Sequence, residues 1–416
     1  MMKILWLSNF SFRESDLCDT GTWVQPLAEA LNQRDSVEIA NVSWGEESCR
    51  VVRGIKQWLV PRKGLTKHGH EAPNELCEKI RSIIDEYSPD LVHIWGTESA
   101  WASVYRKGYI ACPTLLEIQG LVGPCARYYM GGMSFGDLCR CIHLKEILMP
   151  WRTMWVKQNV FRKRGEEEKH NIEAFRHIAV QSNWVEAHIE QMAARACIHH
   201  SRILLRRAFY AASKERYEIG EHPVLFFSFS GAIPYKGLHK LLEMLCLVKE
   251  HFPTVELRIA GVFYIGNRLM DGYSLYLKHL IGKYDLQNQV TLLGPLDAPS
   301  LVKELQHADV CVVPSFVETY CLAFAEAMVV GCPVVSSNAA ALPELADANS
   351  EALFYSPNDT VMGAHHILTL LRDRVKAMAM AQQARSRRLK ENDPELVVNN
   401  QIEIYQALLA QESACQ

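Results

Sequence analysis

Val310-Cys311-Val312-Val313-Pro314-Ser315-Phe316-Val317-Glu318-Thr319-Tyr320-Cys321-Leu322-Ala323-Phe324-Ala325-Glu326-Ala327-Met328 divides into three pieces. Val310 to Val313 form a short apolar run of strand type, and Pro314 stops it. A loop carrying Glu318 follows, then a helical stretch closed by Gly331. In a parallel sheet such a loop leaves the carboxyl edge, where α/β folds bind ligands. Free amides around Thr319 to Leu322, at the start of the helix, suit a phosphate. Glu326 sits one turn inside, with Leu322, Ala323, Val329 and Val330 at its i±3 and i±4 positions. A carboxylate among such neighbours is costly unless hydrogen bonds reach it, and sugar hydroxyls can supply them. Alone, Glu318 reads as a solvated loop acid and Glu326 as a helix acid satisfied by backbone. Spaced eight apart across a strand-loop-helix junction, they mark a site.

Outward from this stretch, strand-length apolar runs alternate with segments of helical period, the pattern of βαβ units. One series holds Lys3 to Leu7, Val37 to Val42, Leu91 to Trp95 and Thr114 to Ile118, with helices at Trp23 to Asn32 and Glu75 to Tyr87. A second holds Pro223 to Phe227, Leu257 to Ala260, Val290 to Leu293, Val310 to Val313 and Pro333 to Ser336, with helices at Leu238 to His251, Ser274 to Tyr284, Ser300 to Gln306 and Leu322 to Val330. Ala193 to His222 is polar and poor in strand pattern, so the connection falls there. The expected domains are 1–207, 208–395 and a terminal helical segment, 396–416, that could return to the first. The fold class is α/β, two Rossmann-like doubly wound parallel-sheet domains.

With 416 residues, 49% of them hydrophobic, the chain can bury a large core, which excludes disordered, collagenous and coiled-coil classes. Its 44 Lys+Arg against 47 Asp+Glu argue against a nucleic-acid partner. No run of 18 apolar residues suggests a transmembrane helix, and Met1 to Leu7 reads as a buried strand rather than an export signal. Thirteen cysteines, an odd number widely scattered, point to free thiols in a reducing cytoplasm. Cys139 and Cys141 lack zinc-ligand spacing, and no metal ligand set is expected. His199-His200 and His365-His366 read as adjacent pairs pointing apart. His93 reads chiefly as a core histidine. Arg162 to Lys169 reads as a solvated helix face. Between Arg127 and Gly165, aromatics and cations such as Trp151, Arg152 and Trp155 fit either a helix packed on its own domain or peripheral contact with an anionic membrane face.

The Glu318 to Glu326 spacing, followed by Ala327-Met328, Gly331 and Pro333-Val334, resembles the donor motif of the family 4 retaining glycosyltransferases. Gly231-Ala232-Ile233-Pro234-Tyr235-Lys236-Gly237 is similar to that family's Gly-rich turn. Leu257 to Gly261, Val290 to Gly294, Ala308-Asp309-Val310, Met2 to Leu5 with Gly21, and Pro89 to His93 extend the resemblance over nearly the whole chain. It implies a GT-B architecture, with acceptor bound by the first domain and nucleotide sugar by the second. The implied reaction moves a sugar, with retention, from a nucleotide-diphosphate donor to a saccharide or lipid-linked acceptor, without cofactor or metal. Lys236 and Glu318 would be catalytic: Lys236 offsets the leaving diphosphate's charge and Glu318 holds donor-sugar hydroxyls, while Glu326 binds the ribose diol. Gly231, Gly237, Gly294, Tyr320, Cys321 and Leu322 complete the implied donor site, with Gly261 to Ile265 and Leu293 to Leu296 facing the base. Gly21, Thr22, Gln119 and Gly120 are the first-domain candidates.

The sequence departs from that pattern at several places. Ala232 replaces an Arg, so either another cation such as Arg206 or Arg207 is recruited or diphosphate binding is weaker. Cys321 replaces a Gly, Ala340-Ala341 replace a small Gly pair, and Gln119 replaces a His. The Ile118-Gln119-Gly120-Leu121 version resembles bacterial branches that build surface polysaccharides. A sugar-nucleotide epimerase of the same fold, and a nucleotide- or polysaccharide-binding protein without turnover, are the competing readings.

Overall fold

The computed structural model describes residues 1–14, 23–65, 71–262 and 270–414, which form two compact units. The first takes in 1–123, 162–204 and 391–416; the second takes in 124–161 and 205–390. Gly21 and Thr22 lie outside the described residues, as does most of the Gly261 to Ile265 segment.

The first unit is built on eight strands: β1 (Met2–Leu7), β2 (Val37–Trp44), β3 (Ser48–Val52), β4 (Ile55–Val60), β5 (Leu91–Trp95), β6 (Thr114–Glu117), β7 (His177–Val180) and β8 (Cys197–His200). Their order is β3-β4-β2-β1-β5-β6-β7-β8, parallel throughout except for the β3–β4 hairpin. Ile4 to Leu7 are fully buried, as a continuous apolar strand covered on both faces requires. The hairpin turns at Arg53 and Gly54, both with positive φ, a two-residue turn whose Arg-Gly lacks the usual Asn-Gly signature. Sequence order reverses direction between β1 and β5, so the loops leaving those strands flank the switch point of this sheet. The helix Pro394–Ala414 packs into the same unit: buried Tyr405 accepts a hydrogen bond from Trp6 Nε1 at 3.1 Å and meets His93 Nδ1 at 2.8 Å. His93 is therefore a core residue, also stacked on Trp95.

The second unit holds β9 (Val224–Ser228), β10 (Glu256–Ala260), β11 (Val290–Gly294), β12 (Val310–Val313), β13 (Val334–Ser337) and β14 (Leu353–Tyr355), ordered β11-β10-β9-β12-β13-β14 and all parallel. Here the reversal falls between β9 and β12, so the Gly-rich turn after β9 and the Glu318 loop after β12 leave the sheet side by side at the switch point. Residues 124–161 end 63 positions before the first strand of this sheet, yet Tyr129, Met133, Leu138, Cys141 and Met154 lie in its hydrophobic core.

One expectation about charge is corrected. Glu168, in the run read as a solvated face, is fully buried, with Thr97 Oγ1 donating at 2.5 Å and the Gly123 amide at 3.1 Å. Helical period puts one residue of that run inward, and it is the acid. All eleven described cysteines are free, and no helix among the described residues is long and apolar enough to cross a membrane.

Candidate functional site

β12 ends at Val313, and the loop from Pro314 to Cys321 carries the chain to the helix Leu322–Val330. Two backbone features fix this loop against the Gly-rich turn. The Phe316 amide donates to Tyr235 O at 2.7 Å, and Gly237, at φ +75°, lies so close that a Cβ there would overlap the Pro314 carbonyl. Only glycine fits that combination of close approach and left-handed backbone. The turn's short 3-10 segment Pro234–Lys236 thereby presents the Lys236 side chain to the loop.

Lys236 Nζ donates to both carboxylate oxygens of Glu318, at 2.7 and 2.9 Å, and Ser315 Oγ donates to Glu318 Oε1 at 2.7 Å. The pair keeps 22% and 12% of its side-chain surface exposed, enough to be reached by a ligand. Burial works against the Lys236 ammonium, but Glu318 outweighs it and the net shift is upward, so the lysine stays charged. Thus the structure brings together two of the residues singled out in the sequence, and adds Ser315. Three positions ahead of Glu318 on the same loop, Ser315 gave no distinct signal.

Glu326 is buried on the helix, where Arg206 holds it through Nε at 3.1 Å and a terminal nitrogen at 2.7 Å. Burial, the largest influence, raises the Glu326 carboxyl above its ordinary range, and Arg206 opposes that rise. The guanidinium also lies over the Phe209 ring at 4.7 Å. Arg206, considered in the sequence as a phosphate cation, pairs with this acid. Cys321 caps the helix at φ +94° and ψ +86°, a conformation that strains any side chain, and burial raises its thiol pKa. Tyr320 hydrogen-bonds the buried Arg388. Leu322 is the first residue of the helix. Gly294 ends β11 at φ +73°, and Gly231 stands in open space.

In the first unit, Gln119 and Gly120 follow β6 and meet a residue that the sequence reading passed over. Glu98, in Gly96-Thr97-Glu98 after β5, places its carboxylate between Gly96 and Gly120; a Cβ at Gly120 would stand 3.0 Å from Oε1 and one at Gly96 would overlap Oε2. Thr97 Oγ1 also lies 3.2 Å from Gly120 O. Burial pushes the Glu98 carboxyl up to about 7; Glu168 adds to the rise and Arg164 opposes it. The signal available in the sequence was an acid just after a switch-point strand, flanked by glycine.

Residues 210–387 match the family model described as Glycosyl transferases group 1. The uncharacterized glycosyltransferase YqgM of Bacillus subtilis is 23% identical over 322 residues, 77% of this chain and 78% of that protein. Among solved structures, sucrose-phosphate synthase from Thermosynechococcus elongatus superposes with a TM-score of 0.74 at 17% identity, covering 99% of this chain and 100% of that one. Anabaena HepE, solved in complex with UDP-glucose, superposes at 0.62 and 15% identity over the full length of both chains. The chain shares the fold of these structures, two parallel-sheet α/β units. The matched stretch lies within the second unit and contains Lys236, Glu318 and Glu326.

Proposed function

We propose that the protein is a retaining, metal-independent glycosyltransferase of family 4 type that moves a sugar from a nucleotide-diphosphate donor to a saccharide or lipid-linked acceptor in surface-polysaccharide assembly. The observation that carries this reading is the Lys236–Glu318 pair, held at 2.7 Å beside a helix N-terminus at the switch point of the second sheet. A leaving diphosphate needs positive charge as the bond from sugar C1 to phosphate oxygen breaks, and Lys236 with the first amides of the helix supplies it. The acceptor hydroxyl forms the new C1–O bond on the face that the phosphate leaves, and its proton passes to the departing diphosphate. Glu318, aligned by Ser315, receives donor-sugar hydroxyls. Glu326 receives the ribose diol while Arg206 orients its carboxylate. HepE bound to UDP-glucose supports a nucleotide sugar as donor.

A membrane-face acceptor fits the surface of residues 135–151. Phe135, Leu144, Ile147, Leu148 and Trp151 are all more than 60% exposed on consecutive short helices, interleaved with Arg140, Lys145 and Arg152. Exposed apolar side chains among cations are the composition that seats on an anionic lipid surface. The location on this reading is cytoplasmic, peripheral to the membrane.

Calorimetric titration with UDP-, GDP- and ADP-glucose in the absence of metal tests the donor assignment. One donor class binds, Lys236→Ala loses most of that affinity, and Glu326→Ala loses more nucleotide affinity than Glu318→Ala. A folded protein that binds none of the three, or equal small losses in both acid variants, overturns the assignment and favours a binding protein without turnover.

A further inference from the structure

A second cluster lies at the other edge of the first unit's sheet. β7 and β8 run parallel with His177 opposite Cys197 and Ala179 opposite His199. Side chains alternate along a strand, so Cys197 and His199 share a face, and His177 joins them from the neighbouring strand. One ligand atom from each of the three lies within 4.8 Å of the others. His177 Nδ1 and His199 Nε2 stand 3.1 Å apart. That is close to the roughly 3.3 Å edge of a tetrahedron with metal-to-nitrogen bonds of about 2.0 Å.

The outer partner of His177 is also in place. Its Nε2–H donates to Glu412 Oε1 at 3.0 Å, which leaves the Nδ1 lone pair turned toward His199. A carboxylate behind a histidine in this way orients metal-binding imidazoles and raises their basicity. Arg176 anchors the same Glu412 oxygen at 3.0 Å.

We propose that His177, Cys197 and His199 form a site for a divalent cation of the zinc class, with Glu412 as the positioning carboxylate. One thiolate with two neutral imidazoles is a borderline-soft donor set that suits tetrahedral Zn²⁺ and leaves the fourth position to water. Binding releases the Cys197 thiol proton to solvent and moves the His199 proton from Nε2 to Nδ1, so one proton leaves per ion bound. The role is structural. His177 and Cys197 open their strands, at the edge opposite the carboxyl ends from which Glu98, Gln119 and Gly120 project. The ion would tie β7 and β8 to the helix Pro394–Ala414, which delivers Glu412. This site is independent of the donor assignment and leaves a metal-free reaction unaffected.

Cobalt titration of the reduced, chelator-treated full-length protein, followed by visible and near-ultraviolet absorption, tests the proposal, with zinc content read by mass spectrometry. One equivalent binds with a thiolate-to-cobalt charge-transfer band and a tetrahedral ligand-field spectrum, and zinc displaces it. Cys197→Ser loses the band, whereas Cys49→Ser and Cys139→Ser, at exposed cysteines, retain it. Glu412→Gln weakens binding by about 10–100-fold. Absence of a thiolate band in the wild type, or a band that survives Cys197→Ser, overturns the proposal and leaves a His199-to-His177 hydrogen bond. Should His199→Ala not fold, Cys197→Ser, a near-isosteric change at a partly exposed position, still decides it.

Discussion

Two glycines of one turn should respond oppositely to the same small change. At Gly237 the backbone sits at φ +75°, and an added Cβ would stand 2.7 Å from the Pro314 carbonyl carbon and closer still to its oxygen. At Gly231 an added Cβ meets nothing within 4 Å. Left-handed backbone costs a side-chain-bearing residue about 1–2 kcal/mol, and forcing an atom into packed surroundings adds about 1–3 kcal/mol. Gly237→Ala should therefore destabilise by about 3 kcal/mol, against within about 0.5 kcal/mol for Gly231→Ala. For a unit of this size, about 3 kcal/mol corresponds to a fall of about 6–12 °C in the unfolding temperature. Scanning calorimetry of the two variants beside the wild type reads the difference directly. Because the displaced carbonyl belongs to the loop that presents Glu318, Gly237→Ala should also weaken nucleotide-sugar binding by about tenfold or more, about 1.4 kcal/mol. If Gly237→Ala melts within a degree of Gly231→Ala, the turn and the loop are not locked together as described.

Cys321→Gly should stabilise the second unit by about 1 kcal/mol, because glycine accepts the φ of +94° that strains the cysteine; an unchanged denaturation midpoint would show that the strain is absent. The first unit should carry a pH dependence from Glu98, whose carboxyl sits at about 7 in the fold against an ordinary 4.5. A folded pKa above the unfolded one means that the stabilising contribution is complete below about 4.5 and is lost as pH rises through about 7, at most about 3 kcal/mol in all. Glu98→Gln should flatten that loss, raising the midpoint at pH 8 and leaving it unchanged at pH 4.5. Equal effects at both pH values would mean that Glu98 is ionised throughout.

The strands that could be read from sequence were those with continuous apolar runs. Val310 to Val313 and Leu91 to Trp95 fall where their composition puts them, and the helix Leu322–Val330 runs between its expected limits. β7 and β8 escaped notice because each is four residues long: His177 opens β7 and leaves only three apolar residues, and His199-His200 end the apolar pattern of β8. Reading Ala193 to His222 as connection followed from the same signal, and β8 lies inside it. Residues 124–161 show a different limit. Their apolar positions declare a buried face, but nothing local says which core will take it, and Tyr129 and Met133 join that of the second unit.

At the candidate site, spacing singled out Glu318 and Glu326, whereas Lys236 was reached through the resemblance of its Gly-rich turn, 82 positions before Glu318. Their partners were harder. Arg206 lies 120 positions before Glu326, and Glu168 lies 71 positions beyond Thr97, so each pairing exists only once the chain has folded. Glu98 was passed over because a single acid after a strand resembles any loop acid until the two glycines beside it are seen to make room for its carboxylate.

The central claim, transfer of a sugar from a nucleotide donor with retention, is tested most directly by proton NMR of the purified protein with UDP-, GDP- and ADP-sugars, using water as the slow acceptor. Nucleoside diphosphate should be released from one donor class without added metal, with the freed sugar first appearing as the donor's own anomer, and Lys236→Ala should lose this turnover. First appearance of the opposite anomer, or no release of nucleotide by a folded protein that binds the donor, would contradict it.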